Sequence, residues 1–547
     1  MTKGKKYGRI KYNIMHFWTM ADGAKFLRRK TMKKYLSLFL AILMILTALF
    51  TIVACNDPEQ PDDPKDPVTE GGDKPPVVTP PTGGGEVERI PLNYLPTDGF
   101  NDAQFHILEW SCNNVVDVGV SWIPWEEGDV EEEDGDMLAS AVFDRNAWVE
   151  ETYGVIISKE YAQIEYEPTY TTRVRNDSET SSNTYQLFTM RTVGIVSLIE
   201  EGYFADMNEY EQYLRTDQPW WVQDAVESFA LGSHLYVCAS EMLLRDKGAT
   251  AALFFNQVMT KDYTDLPNFF ELAAEGEWTL EELIYASEIV AHSNDNDEEM
   301  NSAQDIWGCI GGDDPIYYLF NAAGYKFAHI DEDGYIAYDF GYDEDSVTVI
   351  KSIFDDFLYT DWYMNSTTEG EFLEKDQDLF VDGVSLFKTG MVKDTTNRLK
   401  NMNDLYGILP YPKYTLDQGD YSSLVWEHHD SVLGIPQFAA NKEMCAVILE
   451  ALSWESYYSV YPLFYDTILL NRAAKDQESK EMLEIIFATR SYDPGLYWDG
   501  GSGLHGGDGL LRLSMKGTSD IASLWAIYED RVEENIQEVN NWIANKE

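Results

Sequence analysis

The sequence predicts an α/β protein with two lobes and parallel-type sheets flanked by helices. Residues 105–110 are apolar with polar interruptions and predict a first strand, residues 140–153 predict a helix, and residues 155–158 predict a second strand. A strand, a helix and a strand in this order predict a βαβ unit and hence a parallel sheet. About 455 residues follow the leader and tether described below, which is long enough for two lobes with large cores.

Local signals place the next elements. Gly154 stands where a residue in the left-handed conformation would end the first helix. The acidic residues 126–136, between the first strand and this helix, predict a solvated loop. Residues 185–190 predict a third strand of the same sheet.

Three helices are predicted farther along the chain. Thr279 is expected to cap one of them, with Glu282 completing a capping box. Apolar residues at helical spacing follow Asn441, which predicts a helix with one face in the core. Residues 524–542 are charged and amphipathic and predict a closing helix.

Residues 32–54 have the composition of an export signal. Lys33 and Lys34 are followed by an apolar run, and the small residue Ala54 precedes Cys55. The closing Ile-Val-Ala-Cys resembles a bacterial lipobox, which implies that the Cys55 thiol carries a diacylglycerol. The alternative is a plain membrane anchor, because the run is nearly long enough to span a bilayer. Lipidation is favoured, since the apolar run stops at Cys55.

The segments on either side of this signal are not expected to fold. Residues 1–31 are basic and are interpreted as a non-native extension, with Met32 as the start. Residues 55–95 are rich in proline, glycine and acidic side chains, which predicts a disordered tether. An extended tether of this kind reaches on the order of 100 Å. The expected location is the cell surface, lipid-anchored to the outer face of the cytoplasmic membrane.

The net charge limits the kinds of binding partner, and the cysteine spacing bears on disulfide formation. The formal net charge of −55 argues against nucleic acid, because phosphate binding needs clustered Lys and Arg. The four cysteines after Cys55 are scattered, without C-x-x-C spacing, and buried free thiols are favoured over disulfides. They are Cys112, Cys238, Cys309 and Cys445.

No motif predicts a catalytic residue, a cofactor or a metal. Residues 501–506 match G-x-G-x-x-G but follow no predicted strand, so a glycine-rich loop is favoured over a dinucleotide site. His428 and His429 are adjacent, and a solvated or pocket-lining role is favoured over zinc binding. Residues 294–299 lack the central glycine and the properly placed glutamate of a calcium loop, so a solvated loop is favoured there.

Several segments resemble one family of proteins in sequence, order and spacing. Gly-Glu-Trp-Thr-Leu-Glu-Glu-Leu at 276–283 and Tyr-Gly-Ile-Leu-Pro-Tyr-Pro-Lys at 406–413 are the most specific. The chain resembles extracellular solute-binding proteins of family 1, the carbohydrate-binding lipoproteins of ABC transporters. The weaker supporting segments are 202–208, 232–237, 252–256 and 431–436.

The resemblance implies a two-lobed, periplasmic-binding-protein-like fold of type II with a ligand cleft between the lobes. It implies a carbohydrate ligand, with an oligosaccharide favoured, and the permease subunits of an ABC transporter as partners. Residues 96–235 and 375–430 are expected to form the first lobe. Residues 236–374 and 431–547 are expected to form the second.

Candidate ligand-binding residues follow from sugar chemistry. Aromatic rings stack on apolar sugar faces, and carboxylates accept hydrogen bonds from hydroxyl groups. Open α/β sheets place ligands at the carboxyl ends of their strands, which favours the tryptophan that ends the first strand. Core packing is the alternative for every tryptophan. The candidates are Trp110, Trp220, Trp221, Glu241, Asp246 and Trp426.

Two other functions stay open at this stage. A surface glycoside-active enzyme would use a pair of carboxylates, and the many acidic residues leave room for such a pair, although none stands out. A sugar sensor that works without a transporter would keep the same fold. New reducing ends in oligosaccharide digests would identify the enzyme, and neighbouring permease genes would argue against the sensor.

Lipidation at Cys55 is directly testable. Cys55→Ser is expected to fold normally, because the residue lies in the leader–tether junction, but to lose its lipid and its stable membrane residence. Incorporation of a labelled fatty acid and membrane fractionation measure both effects, with Cys112→Ser as the control that keeps the label. Equal labelling of Cys55→Ser and the unmodified protein would contradict the assignment.

Overall fold

The computed structural model describes most of the chain from residue 88 onward. The described residues are 88–111, 137–163, 168–180, 183–294, 300, 305–365, 379–396, 399–470, 477–498, 504–505, 509–510 and 520–546. Cys55, Cys112 and the acidic loop 126–136 lie outside these ranges, as do residues 295–299 and all of 501–506 except Leu504 and His505.

The described chain contains both strands and α-helices. The strands are β1 (Ala103–Ser111), β2 (Val155–Gln163), β3 (Leu187–Met190), β4 (Ala230–Leu231), β5 (His234–Leu235), β6 (Ala251–Asn256), β7 (Trp307–Gly311), β8 (Ala328–Ile330), β9 (Ile336–Tyr338), β10 (Tyr363–Asn365), β11 (Ser385–Met391), β12 (Tyr406–Leu409), β13 (Ser423–Leu424), β14 (Val432–Gly434) and β15 (Arg490–Ser491). The helices are α1 (Met137–Tyr153), α2 (Pro168–Glu179), α3 (Ile195–Glu200), α4 (Gln223–Phe229), α5 (Arg245–Gly248), α6 (Phe269–Ala274), α7 (Leu280–Val290), α8 (Pro315–Ala322), α9 (Glu344–Ile353), α10 (Lys442–Glu455), α11 (Tyr461–Leu470), α12 (Gln477–Ala488), α13 (Pro494–Trp498) and α14 (Ile521–Ala544).

The first sheet has the strand order β14-β3-β1-β2. β1 pairs in parallel with both β2 and β3, and β14 runs antiparallel to β3. The apolar residues of β1, among them Phe105 and Ile107, are fully buried because the strand lies inside the sheet. The predicted strands and the predicted parallel pairing are confirmed.

Helix α1 connects β1 to β2 and ends as the sequence predicts. Gly154 has a φ of 60°, in the left-handed region that glycine tolerates best. Its amide donates to the Glu150 carbonyl at 2.9 Å and closes the last turn. The chain then enters β2 directly, so the βαβ unit is compact.

The second sheet has the strand order β10-β7-β11-β6-β12. β7 pairs in parallel with β10 and β11, whereas β6 runs antiparallel to β11 and β12. The carboxyl ends of the three parallel strands therefore lie at one edge of this sheet. Residues after those ends belong to one surface of the second lobe.

The division of the second half of the chain between the lobes differs from the expected one. Strands β11 and β12 lie in the second sheet, although residues 375–430 were expected in the first lobe. Strand β14 lies in the first sheet, although residues 431–547 were expected in the second lobe. Neither stretch has a composition that marks its lobe, because both sheets bury the same kinds of apolar side chain.

Two chain segments connect the lobes side by side. We call residues 236–250 the first crossing segment and residues 425–431 the second. Near the first lobe, Cys238 and Leu433 exchange backbone hydrogen bonds at 3.0 and 2.7 Å. Near the second lobe, the Trp426 amide donates to the Ala249 carbonyl at 3.1 Å. The two segments therefore run antiparallel and act as a paired connection.

Helix α14 contacts both lobes. Trp525, near its start, packs on Tyr338 and Phe340 with ring centroids 6.0 and 5.7 Å apart. Trp542, near its end, donates to the Glu200 carbonyl at 3.2 Å and lies 5.7 Å from the Tyr236 ring. The predicted closing helix is confirmed, and it bridges the two sides of the molecule.

The end of the tether is ordered, in contrast to the expectation for residues 55–95. Arg89 Nη1 donates to Glu455 Oε2 at 2.6 Å, and Trp454 Nε1 donates to the Ile90 carbonyl at 2.7 Å. Tyr94 OH donates to Glu450 Oε1 at 2.6 Å. Partners on α10 thus hold residues 89–94 against the first lobe, which composition alone could not indicate.

Helix α7 begins where predicted but is not capped as predicted. Thr279 is the N-cap residue, yet its side chain makes no capping hydrogen bond, so the expected capping box is wrong. Instead, the Leu280 amide donates to the Lys413 carbonyl at 2.8 Å, and the Lys413 amide donates to the Trp278 carbonyl at 3.1 Å. A strand-like pairing with Lys413 therefore supplies the hydrogen-bond acceptor that the first amide of the helix needs.

The cysteines of the described residues behave as predicted. Cys238, Cys309 and Cys445 are buried free thiols, and burial raises the pKa of Cys238 and Cys445 to about 12. They pack as small apolar side chains at neutral pH. Across the described ranges, none of the helices is both long and apolar enough to cross a bilayer.

Candidate functional site: the junction between the lobes

The carboxyl ends of the parallel strands meet at the junction between the lobes. Glu109 and Trp110 close β1, and Arg191 follows β3. On the other side, Asp313 and Asp314 follow β7. The crossing segments run between these ends, so charged and aromatic side chains from both lobes are brought together.

Trp110 is fully buried at the end of β1 and is held on several sides. Its indole Nε1 donates to Ser431 Oγ at 2.8 Å. The guanidinium groups of Arg191 and Arg245 lie 5.2 and 5.4 Å from its ring centroid, within range of a cation–π interaction. Arg245 also forms a 2.5 Å ion pair with Glu109. Trp110 thus links the first sheet to both crossing segments.

Trp426 lies on the second crossing segment and packs against the second lobe. The rings of Tyr317 and His428 lie 4.9 and 5.2 Å from it, inclined by 30° and 19°. Tyr318 meets it edge-on at 5.8 Å. The result is an aromatic cluster whose outer ring is His428, with 54% of its side chain exposed.

Carboxylates surround this aromatic cluster. Glu427 Oε1 lies 3.2 Å from His428 Nδ1. Burial lowers the pKa of His428, but the hydrogen bond and the charge of Glu427 outweigh it, so the pKa is raised. Burial, reinforced by the charges of Asp313 and Glu427, raises the pKa of Asp314 to about 6. These side chains therefore lie close together, with His428 at the solvent-exposed edge of the cluster.

Asp430 fixes the second crossing segment to the first lobe. Its carboxylate accepts from the Thr192 amide at 3.0 Å and from Thr192 Oγ1 at 2.7 Å. Burial raises the pKa of Asp430 well above its usual range. Arg191 Nη1 donates to the His428 carbonyl at 2.8 Å from the same side.

Glu241 and Asp246 lie in a buried ion-pair network on the first crossing segment. Arg490 donates to Glu241 at 2.6 Å and to Asp246 at 2.8 Å, and Lys247 lies 2.7 Å from Glu241. Burial raises the pKa of Asp246, whereas Arg490 and Lys247 outweigh burial at Glu241 and lower its pKa. Both carboxylates are used to join the crossing segment to β15.

Trp220 and Trp221 have a partner that the sequence did not indicate. Both indole nitrogens donate to the carboxylate of Glu450, each at 2.9 Å. Tyr94 OH and the Arg215 amide donate to the same carboxylate. Glu450 is buried on α10, so it binds four segments of the first lobe together.

The six predicted site residues therefore fall into three environments. Trp110 and Trp426 lie at the junction, Glu241 and Asp246 in the ion-pair network, and the Trp220–Trp221 pair on Glu450. Ligand contact by any of them stays a prediction. Sequence reasoning missed residues that surround the two junction tryptophans, although two acidic residues directly after an apolar strand were a usable signal. The missed residues are Glu109, Arg191, Asp313, Asp314, Tyr318 and Glu427.

Metal binding finds no support at this junction. Within the described ranges, no group of three or more His, Cys, Asp or Glu side chains could hold a metal ion. His428 stacks on Trp426 and faces Glu427, in keeping with the favoured pocket-lining role over zinc binding. Most of the candidate calcium loop and most of the glycine-rich stretch 501–506 lie outside the described residues.

Comparison with known proteins identifies similar solved structures. No protein-family model matches the chain, and no curated protein matches it. An ABC substrate-binding protein from Listeria monocytogenes, solved with cycloalternan, is 10% identical over 79% of this chain and 99% of its own, with a TM-score of 0.49. The galacto-N-biose-/lacto-N-biose I-binding protein of Bifidobacterium longum is 11% identical over 81% and 98%, with a TM-score of 0.47.

A third similar structure is an ABC transporter-associated binding protein from B. animalis subsp. lactis, solved with β-1,6-galactobiose. It is 13% identical over 80% of this chain and 99% of its own, with a TM-score of 0.46. The two sheets and the paired crossing segments define a two-lobed α/β protein.

Removal of the Glu450 carboxylate is expected to destabilise the first lobe. Glu450→Ala leaves the indoles of Trp220 and Trp221 without their acceptor, at a cost of about 3 kcal/mol or more. Glu450→Gln keeps an oxygen acceptor and should cost less. Urea denaturation followed by tryptophan fluorescence measures the difference. Glu443→Ala, at an exposed position of the same helix, is the control and should stay within about 0.5 kcal/mol.

Asp314 is expected to make stability depend on pH. Its pKa of about 6 in the folded protein lies above the usual 3.8, so its protonated form is favoured by folding. Asp314 contributes on the order of 2 kcal/mol to the free energy of unfolding at about pH 4, and this contribution is lost as the pH rises through 6. Asp314→Asn should remove this slope in urea denaturation at pH 4 to 7.5. Parallel stability–pH curves for both proteins would contradict the prediction.

Proposed function

We propose that this protein captures a carbohydrate between its two lobes and delivers it to the permease of an ABC transporter. The observation that carries the proposal is the junction itself. Aromatic rings and carboxylates from both lobes and from the second crossing segment meet there, as Tyr318, Trp426 and Glu427 illustrate. A sugar offers hydroxyl groups to the carboxylates and an apolar face to the rings.

The paired crossing segments suit a closing motion. Two lobes that are joined by short antiparallel segments open and close by small backbone changes at those segments. Ligand contacts with both lobes would favour the closed form, and a permease could read that form. Capture and delivery need no chemical change of the sugar, so we propose a binding protein and not an enzyme.

The N-terminal leader would keep the protein at the membrane. A lipid on Cys55 and the tether would hold the lobes at the outer face of the cytoplasmic membrane, within reach of the permease. The ordered end of the tether, at Arg89 and Tyr94, supports this arrangement because the chain joins the first lobe there, against α10. The six predicted site residues are retained as candidate ligand contacts.

Sugar binding with closure is the decisive test. The full chain in detergent is titrated with a panel of neutral, amino and acidic oligosaccharides while tryptophan fluorescence and small-angle scattering are recorded. We expect saturable fluorescence changes and a smaller radius of gyration with at least one sugar. If neither the fluorescence nor the radius of gyration changes with any glycan, the proposal is contradicted.

Trp426→Ala is expected to weaken binding of the sugar found in this screen by about tenfold or more. The melting temperature of the same variant separates ligand contact from core packing. A large fall in melting temperature with unchanged affinity would assign Trp426 to the core alone, since loss of a buried Trp costs about 3–5 kcal/mol.

A further inference from the structure

One buried oxygen of Glu427 has no hydrogen-bond partner among the described residues. The residue is 5% exposed, and its Oε1 faces His428. The oxygen without a described partner is Oε2. Buried carboxylate oxygens are nearly always hydrogen-bonded, because an unsatisfied charged acceptor is costly. This oxygen is therefore placed to accept from a donor that is not among the described residues, such as a ligand group.

Tyr318 presents a second buried polar atom of this kind from the second lobe. It lies on α8 and is 2% exposed, and no partner for its hydroxyl group occurs among the residues described. Burial, together with the charges of Asp314, Asp394 and Glu427, raises its pKa well above the usual range. At neutral pH the phenol keeps its proton, so it can both donate and accept.

The two atoms belong to one site. Tyr318 and Glu427 flank Trp426, whose ring meets the Tyr318 ring edge-on at 5.8 Å. The charge of Glu427 acts on both Tyr318 and Asp314, so the carboxylate lies near each of them. Because Tyr318 comes from the second lobe and Glu427 from a crossing segment, a ligand that binds both would bridge the second lobe and that segment.

The charges near these atoms favour one kind of ligand group. Asp313, Asp314 and Glu427 are acidic, and a ligand carboxylate placed among them would be repelled. Three basic side chains lie nearby: Arg191 donates to the His428 carbonyl, Lys388 lies 3.8 Å from Asp394, and the charge of Lys393 acts on Asp314 without offsetting burial and the acidic neighbours. A donor such as a hydroxyl or an ammonium group fits this environment.

We propose that Glu427 and Tyr318 are the specificity-determining pair of the junction, which binds a hydrogen-donating group of a sugar and excludes uronic acids. The inference rests on the proposed function and names the class of substrate: a neutral sugar, through a hydroxyl group, or an amino sugar, through its ammonium group. Glu427 supplies the acceptor and Tyr318 the second contact.

Binding to sets of matched oligosaccharides tests the pair. The full chain in detergent is titrated calorimetrically with cello-oligosaccharides and β-1,4-galactobiose as neutral probes, chitosan oligosaccharides as cationic probes and oligogalacturonates as acidic probes. Neutral or amino sugars should bind, and the acidic probes should bind at least about tenfold more weakly. The neutral and the chitosan arms distinguish a hydroxyl from an ammonium group.

Conservative variants then test the two residues with the best probe. Glu427→Gln should weaken binding by about tenfold for a neutral sugar and by more for an amino sugar, because a charge-assisted bond is lost. Tyr318→Phe removes one hydroxyl group, should weaken binding about threefold to tenfold, and tests the pair independently should Glu427→Gln fold poorly. Matched controls on exposed positions of α7, Glu288→Gln and Tyr285→Phe, should leave the affinity unchanged.

Each outcome decides between the two proposals. Preferred binding of oligogalacturonates, or unchanged affinity in both Glu427→Gln and Tyr318→Phe, would overturn the specificity pair while leaving sugar capture intact. If none of the probes binds, both the sugar-capture proposal and the specificity pair are overturned. Weakened binding by both variants, with the controls unaffected, supports the pair.

Discussion

The junction between the lobes depends on one buried cation. Arg490 forms ion pairs with Glu241 and Asp246 of the first crossing segment, and its strand β15 pairs with β13 just before the second crossing segment. The guanidinium thus joins the first crossing segment to β15, which lies more than 240 residues later in the chain. Removing it would leave Glu241 and Asp246 with Lys247 as their remaining buried cation partner, which is more costly than the net value of the ion pairs themselves.

Burial of so many charged groups restricts how the lobes can be arranged at the junction more than it strengthens the attachment between them. Each charged group there needs a partner in a fixed direction, so few arrangements of the lobes satisfy all of them. The Glu109–Arg245 pair and the Asp430–Thr192 contacts fix the first lobe. The second lobe contributes Asp314 and Tyr318, which have fewer fixed contacts. This difference in fixed contacts favours a second lobe that adjusts to a ligand between the lobes.

The sequence predicted local structure well and distant partners poorly. β1, α1 and β2 follow from periodicity and from Gly154, because those signals lie within a few residues. The partner of Trp220 and Trp221 is Glu450, some 230 residues away, and no local pattern encodes such a distance. The same holds for Trp426 with Tyr318 and for the lobe assignments of β11, β12 and β14. At Thr279 the local cap signal was present, but pairing with Lys413 replaced it.

The order in which the chain is made has a consequence for its folding. The first sheet is completed by β14 and covered by α10, and the second lobe is covered by α14, so both lobes need residues from the C-terminal part. A chain that emerges N-terminus first can finish neither lobe until that part has emerged. Until then the apolar faces of both sheets stay exposed to water, so the incomplete chain is at its most prone to aggregate.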